Sequence, residues 1–273
     1  MPLGFSYGGV NPFSTEYLYE AGLGRIPGVT TGVMVGQNNN TSSTGFDAVT
    51  DQGGQYTYLT ANTQLYVNST SALDVNVDVV MQGLDDDYNP IALTANTNGQ
   101  IQEPLSAATS FRTHTFFVSG NITPVGELYL SELTTLTGGV PDDAAKIKAK
   151  IPLSTDTTGA IVDTGTIYAS DNFSHLGLVT VPAGKNMVVV RIILGTAKDD
   201  NIKIGGRVRP PGGAFKWFNR NPVPVYQSNV VLEFNPPIIT PEKFDLEFMS
   251  IGGSPGSLSQ VQVFFTLEDM PNV

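Results

Sequence analysis

The chain has 273 residues, of which 40% are hydrophobic and 14% charged, with 25 acidic against 14 basic side chains and a formal net charge of −11. That is enough apolar material for one large core or two ordinary ones, which excludes a disordered polypeptide; the acidic balance disfavours a nucleic-acid partner. Zero cysteines exclude disulfides, iron–sulfur clusters and thiolate zinc sites, and polarity carried by Asn, Thr, Ser and Gly suits surfaces buried in a long-lived assembly.

The N-terminus, Met1-Pro2-Leu3-Gly4-Phe5-Ser6-Tyr7, has neither the basic nor the apolar region of a signal peptide. No apolar run reaches membrane-spanning length, so synthesis in a cytoplasm and no membrane partner are expected. Residues 1–45 are rich in Gly, Pro, Thr and Asn yet carry Phe5, Tyr7, Phe13 and Tyr17. This composition predicts an extended arm whose rings dock on a neighbouring subunit, or lie on their own domain.

Strand signals fill residues 46–133, read as a first β-sandwich half. Gln55-Tyr56-Thr57-Tyr58-Leu59 and Thr63-Gln64-Leu65-Tyr66-Val67 are spaced to pair. Leu73-Asp74-Val75-Asn76-Val77-Asp78-Val79 alternates aliphatic and polar residues, the pattern of a half-buried antiparallel strand. Asn98-Gly99 marks a tight turn, and strands are expected at 112–118 and 126–130. Residues 134–158 read as a boundary, with helix-start character in Pro141-Asp142-Asp143-Ala144-Ala145-Lys146.

Residues 159–273 read as a second β-sandwich half. Asn186 to Leu194 is continuous rather than alternating, apolar from Met187 onward apart from Arg191, which predicts a strand through the middle of a core, entered by a turn at Val181-Pro182-Ala183-Gly184. Lys243-Phe244-Asp245-Leu246-Glu247-Phe248 and Val261-Gln262-Val263-Phe264-Phe265 alternate, and prolines at 210, 211, 222, 224, 236, 237 and 241 exclude long helices there. Strands at this spacing predict an all-β fold of antiparallel sandwich or jelly-roll-like type.

Little in the chain points to catalysis. His175 has Ser174 and Asp171 as sequence neighbours, but neighbours on a strand face opposite ways, and no Gly-x-Ser-x-Gly elbow is present. His114 reads as a polar-face side chain of its strand. Asp85, Asp87 and Asn89 begin like a calcium loop, but Pro90 and Asn96 replace its glycine and glutamate, leaving an acidic hairpin turn. Asp245 and Glu247, two apart, read as the solvated face of a strand rather than a hydrolase pair. No cofactor and no metal is expected. The segment around the only tryptophan is the most distinctive: Arg207, Arg209, Phe215, Trp217 and Phe218 have interface composition. A stacking platform for a sugar and a core-capping loop are the other readings of Trp217.

Taken in order, Gly53-Gly54-Gln55-Tyr56-Thr57-Tyr58, Gln82-Gly83-Leu84-Asp85 before Tyr88, Gly126-Glu127-Leu128-Tyr129, Thr180-Val181-Pro182-Ala183-Gly184-Lys185, Arg207-Val208-Arg209-Pro210 and Pro241-Glu242-Lys243-Phe244-Asp245-Leu246-Glu247 give the chain its likeness. Over residues 46–269 it resembles a family of virion structural proteins of tailed bacteriophages, of the aquatic and cyanobacterial phage type. The resemblance implies a non-enzymatic β-rich protein of the virion, and it brings no catalytic residues. The expected role is a capsid decoration or cement protein; the alternative is a tail or fibre component that binds a receptor or glycan. Expected partners are other virion proteins (the major capsid protein or tail proteins) and further copies of the chain, a trimer first. Expected interface residues are Phe5, Tyr7, Phe13, Tyr17, Arg207, Arg209, Phe215, Trp217 and Phe218.

Overall fold

The computed structural model describes residues 15–106, 108–119, 124–152, 174–196, 201–217, 222–225, 229–252 and 257–270. In chain order the elements are α1 (Thr15–Gly22), β1 (Val29–Thr41), β2 (Asp47–Ala48), β3 (Tyr66–Ser69), β4 (Val75–Leu84), β5 (Pro90–Asn98), β6 (Glu103–Pro104), β7 (Arg112–Val118), β8 (Leu128–Ser131), β9 (Leu136–Thr137), β10 (Val140–Pro141), β11 (Ile147–Ile151), β12 (Leu178–Thr180), β13 (Lys185–Thr196), β14 (Ile202–Arg209), β15 (Lys216–Trp217), β16 (Val223–Val225), β17 (Val230–Thr240), β18 (Asp245–Ile251) and β19 (Ser257–Asp269). Every described strand pairing is antiparallel, and the fold is all-β.

Two sandwiches form. In one, the sheet β11-β8-β3-β6 faces the sheet β5-β4-β7 around Leu65, Val67, Val79, Met81, Phe116, Leu128 and Leu130. In the other, the sheet β1-β19-β13-β17 faces β12-β18-β14, extended by β15 and β16 on β14 and by β2 on β18. Its core holds Met187, Val189, Ile192, Ile204, Leu246, Phe248, Val261 and Val263. Of the segment read as an arm, β1 pairs along its length with β19, and α1 packs Tyr17 and Ala21 on Ile26 and Val29. Of the segment read as a boundary, Ala144–Lys146 makes one 3-10 turn capped by Asp143, and β11 is an edge strand of the first sandwich.

The two sandwiches meet at a neck. β2 pairs with β18 at Met249 and Ser250, and β12 pairs with the same edge at Asp245 to Glu247. Between them the Phe248 carbonyl accepts from Val49 N–H, and Phe248 N–H donates to the Gly177 carbonyl. Thus β2 and β12 are two pieces of one strand position, and the chain leaves at Thr50 and returns at Leu176, which bridge each other. The first sandwich is built from chain between those points. Asp51 accepts from the His175 backbone N–H and lies 3.1 Å from its Nδ1, closing the neck with a buried pair.

Local departures from alternation have identifiable causes. Asn76 sits at φ 61°, and the register of β4 on β5 shifts between Val75 and Asp78. That bulge changes face parity, so Val77 and Val79 are buried while Leu73 and Val75 point outward and Asp74 points in. β13 shifts register at Val190 against both neighbours, so Met187 and Val189 before it and Ile192 and Leu194 after it all face the core. The unbroken apolar run is therefore two alternating half-strands joined by a bulge. Residues 55–59 form no ladder with 63–67, contrary to the expected pairing; two of their carbonyls take side-chain donors instead.

Candidate functional site: a buried charge and ring layer

β18 is buried on both faces. Leu246 and Phe248 face the second core, which leaves Asp245, Glu247 and Met249 on the opposite side, toward the first sandwich. Directly across, on β14, stand Arg209, Arg207 and Gly205, so each acid has a guanidinium as its cross-strand neighbour. Arg207 donates from Nε and Nη2 to Glu247 Oε2 at 3.2 and 3.0 Å. Arg209 donates from Nε to Asp245 Oδ2 at 2.8 Å and from Nη2 to the same oxygen. From the other sandwich, Arg112 at the start of β7 donates from Nε to Asp245 Oδ1 at 2.9 Å. Thr180 Oγ donates to that oxygen at 2.6 Å. Asp245 therefore holds one guanidinium from each sandwich.

Rings separate the cations. The Arg112 guanidinium lies 3.9 Å from the Phe111 ring centroid and 5.2 Å from that of Tyr58. Arg209 lies 4.2 Å from the Tyr58 ring and 4.5 Å from Phe215, and Arg207 lies 4.3 Å from Phe215. This alternation places each delocalised cation against a π face in a desolvated layer. It also explains why residues 55–59 are not a strand, since Tyr58 stacks into the layer and Tyr56 meets it edge-on at 4.8 Å. Their freed carbonyls find donors: Lys148 Nζ on Thr57 at 2.9 Å, and Arg112 Nη1 on Leu59 at 3.1 Å. Lys148, wholly buried, also donates to the Ala145 carbonyl and pairs with Glu132.

Burial raises the Glu247 carboxyl above the ordinary carboxylate range, with Arg207 opposing. Burial also lifts the Tyr58 phenol well above its usual value, and Glu247 and Asp245 add to the rise. Glu247 Oε1 and the Tyr58 hydroxyl are buried with no hydrogen-bond partner among the described residues. Neither carboxylate is open to a substrate. The layer's chemistry is that of a lock between sandwiches, and the reading of Asp245 and Glu247 as a solvated face is corrected. Sequence reasoning missed this because the cover comes from Arg112 and Tyr58, more than a hundred residues away; the available signal was the Arg-x-Arg of β14 matched to the Asp-x-Glu of β18.

The remaining expectations fall as follows. Phe5, Tyr7, Phe13 and Phe218 lie outside the described residues. Tyr17 is buried, and its hydroxyl donates to Glu268 at 2.8 Å. Arg207, Arg209 and Phe215 belong to the layer, while Trp217 is 38% exposed, with its ring 5.2 Å from that of Phe46 and packed over Gly205. His114 is not a solvated side chain: its Nε2 accepts from Thr180 N–H at 3.1 Å, and burial, with Arg112 nearby, lowers its pKa to about 4 despite Asp245. Ser174 Oγ accepts from Phe116 N–H, and His175 pairs with Asp51. Asp171 lies outside the described residues. Asp85 accepts from Asn89 N–H and closes the β4–β5 hairpin.

The described surface includes the following concavities. One, of about 200 Å³, is mostly apolar and lies between β1, β7, β12 and β19, with His114 and Ser174 among its walls. The other, of about 420 Å³, is polar, walled by Asn40, Ser42, Thr44, Asp47 and Gln52 beside two glycines.

No protein-family model matches the chain, and no curated protein matches it. Among solved structures, the VP2 subviral particle of infectious bursal disease virus aligns over 88% of this chain and 72% of its own, at 10% identity and a TM-score of 0.24. The Gx strain of the same virus aligns over 90% and 73%, at 10% identity and a TM-score of 0.26. Superpositions this loose establish neither a shared fold nor a shared role.

Proposed function

We propose that the chain is a non-enzymatic structural subunit of a virus particle, a bacteriophage particle on the resemblance carried by residues 46–269. The observation that carries the reading is the strand order of the second sandwich. With β2 and β12 counted as one position on β18, and β15 and β16 as one position on β14, its eight strands run first-eighth-third-sixth in one sheet and second-seventh-fourth-fifth in the other. That order supports the jelly-roll reading, an architecture used by viral capsid and lectin domains. The first sandwich then reads as a module inserted into the second strand of the roll and projecting from it.

In this reading the roll attaches to the shell as a decoration or cement subunit and works by burying area against neighbours. Trp217 and residues 1–14, with Phe5, Tyr7 and Phe13, supply contact surface, and copies assemble as a closed homo-oligomer, a trimer first. The buried, guanidinium-paired state of Asp245 and Glu247 counts against the hydrolase reading. Purified chain added to particles lacking it is expected to co-sediment with them, and deletion of residues 1–14 to weaken that association. Chain left wholly in the supernatant, or measurable turnover of a polysaccharide by the isolated monomer, ends this reading.

A second reading, a receptor- or glycan-binding subunit, is favoured by the polar cleft bounded by Asp47 and by the Phe46–Trp217 ring pair next to it. Reproducible binding on a glycan array, abolished by Trp217→Ala, selects this reading over cement.

A further inference from the structure

The end of the first sandwich remote from the charge layer is unusual. Leu84, at one end of β4, stands opposite Arg112, whose guanidinium reaches β18. Val75, at the other end of β4, lies about 30 Å away at ~3.3 Å per residue. Four turns converge there, at residues 69–74, 98–101, 124–126 and 138–140. Buried Asp74 holds three of them: Oδ1 accepts from Val125 N–H at 2.7 Å, and Oδ2 accepts from Gly126 N–H at 2.8 Å and from the Ser69 hydroxyl. Its carbonyl accepts from Gly99 N–H at 2.9 Å and from Thr97 Oγ at 2.6 Å. Asn68 Nδ2 donates to the Gly139 carbonyl and brings in the fourth turn. The turns touch backbone to backbone, since a β-carbon on Gly139 would lie 2.2 Å from the Ser69 carbonyl oxygen.

What this frame displays is aliphatic. Leu73 is 78% exposed, Ile101 60%, Val125 59% and Val75 51%. Ala72, Asn76, Asn98 and Gln100, exposed beside them, carry no charge. An ordinary solvated turn does the reverse, keeping aliphatic groups inside and carboxylates out. Here the carboxylate is inside, the aliphatic groups are outside, and the bulge at Asn76 is the device that turns Leu73 and Val75 outward.

We infer that this tip is a self-association surface, where two or more copies of the chain meet through Leu73, Val75, Ile101 and Val125. Copies carrying a net charge of −11 repel each other over most of their surface, and they approach with least cost at a face whose exposed side chains are mostly uncharged, with the Glu103 carboxylate held at its edge by Asn98. An uncharged aliphatic face is complementary to another like itself and to neither a phosphate backbone nor a charged peptide. The rigid frame leaves little to order on contact. Four side chains offer less than the ~800 Å² per partner of a standard interface. The contact is therefore weak between free chains and strong where copies are anchored side by side, at effective concentrations of about millimolar. The inference rests on the reading of the chain as an assembling subunit.

The absence of cysteine makes a direct test available. Leu73→Cys, Ile101→Cys and Val125→Cys, made singly in the full chain, are exposed to a mild oxidant at high protein concentration and on particles. Val231→Cys and Ile239→Cys, comparably exposed on β17, serve as controls. At least one tip variant is expected to form disulfide-linked dimers roughly tenfold faster than either control, and adding Val75→Asp is expected to remove the excess. Tip rates equal to the controls in both settings overturn the inference, as does an excess that survives Val75→Asp. Incorporation into particles with silent tips sinks the inference alone; tip cross-linking without incorporation sinks the virion reading alone.

Discussion

The charge layer makes a quantitative claim about how the two sandwiches are joined, and Arg112 with Asp245 tests it. Asp245→Ala removes the carboxylate that Arg112 and Arg209 share, leaving two guanidiniums without their common counter-ion. Truncating one partner of a buried, hydrogen-bonded ion pair costs about 3–5 kcal/mol, against a total stability of about 5–15 kcal/mol for a domain. Arg112→Met keeps the aliphatic stem but strips the donors from Asp245 and from the Leu59 and Phe111 carbonyls. Because Asp245 retains Arg209 and Thr180, the expected loss is smaller, about 2–3 kcal/mol. Urea unfolding followed by far-ultraviolet circular dichroism and by the fluorescence of Trp217, the single tryptophan, gives both values and the double variant. The cycle should return a coupling of at least about 1.5 kcal/mol, with the two probes coinciding in the parent and separating in Arg112→Met. A coupling below about 0.5 kcal/mol refutes the argument that this pair ties one sandwich to the other.

His114 is neutral in the fold, with a pKa of about 4 against 6.5 when free. A depressed histidine gives stability that is full above pH 6.5 and lost as pH falls toward 4, up to about 3 kcal/mol at ~1.4 kcal/mol per unit. Denaturation midpoints from pH 7 to 4 should show that loss in the parent and a flatter profile in His114→Gln. Gly36→Ala should destabilise by about 2–3 kcal/mol or prevent folding, because its β-carbon would lie 2.4 Å from Gly177 Cα and 2.5 Å from the Val49 carbonyl oxygen at the neck; an unchanged melting temperature contradicts the close approach. Asp74→Asn loses one of two acceptor oxygens and should cost about 1.5–3 kcal/mol, with amide exchange quickening first at Val125 and Gly126. Replacing the lock by Arg112→Met, Arg209→Met and Asp245→Leu together should change stability by less than about 2 kcal/mol. The same triple variant should widen the range of inter-sandwich orientations measured by residual dipolar couplings, and couplings that still fit one rigid body reject an orienting role.

Much of the strand framework could be read directly. β7, β18 and β19 follow their residue patterns, and the turns at Asn98-Gly99 and Val181-Pro182-Ala183-Gly184 form where Gly and Pro demand them: Gly99 and Gly184 sit at φ 60° and 73°. What stayed hidden depends on contacts distant in sequence or on bulges. Period-two reasoning assigns Leu73 and Val75 to the face of Val77, but one left-handed residue at Asn76 reverses them. Asp245 and Glu247 alternate with core residues and so read as solvated, because alternation reports which residues share a face and not what covers it. The neck was illegible for a related reason: β2 and β12 are two and three residues long, and each is defined by β18 rather than by its own sequence. Tyr56 and Tyr58 have strand composition, yet the Tyr58 ring packs against the Arg112 and Arg209 guanidiniums and Tyr56 meets it edge-on.

Why charge, where an apolar layer would have sealed the same joint? Apolar replacements of buried ion pairs are often neutral or stabilising, so the layer is poorly explained by stability alone. It does supply direction. The Nε donors of Arg112 and Arg209 grip opposite oxygens of Asp245 from opposite sandwiches, and each guanidinium plane is further fixed by a ring face. Aliphatic side chains packed across the same gap would tolerate sliding and rotation; a fork of N–H donors on a carboxylate does not. Directional joints matter when something far from the joint must be placed accurately. A tilt of a few degrees at β18 moves the end of β4 by an ångström or two over a lever of about 30 Å, enough to misalign small aliphatic faces that must meet. The buried acids at the two ends of the first sandwich, Asp245 beneath it and Asp74 at its tip, thus answer one geometric requirement: the first sets where the module points, and the second sets what it presents there.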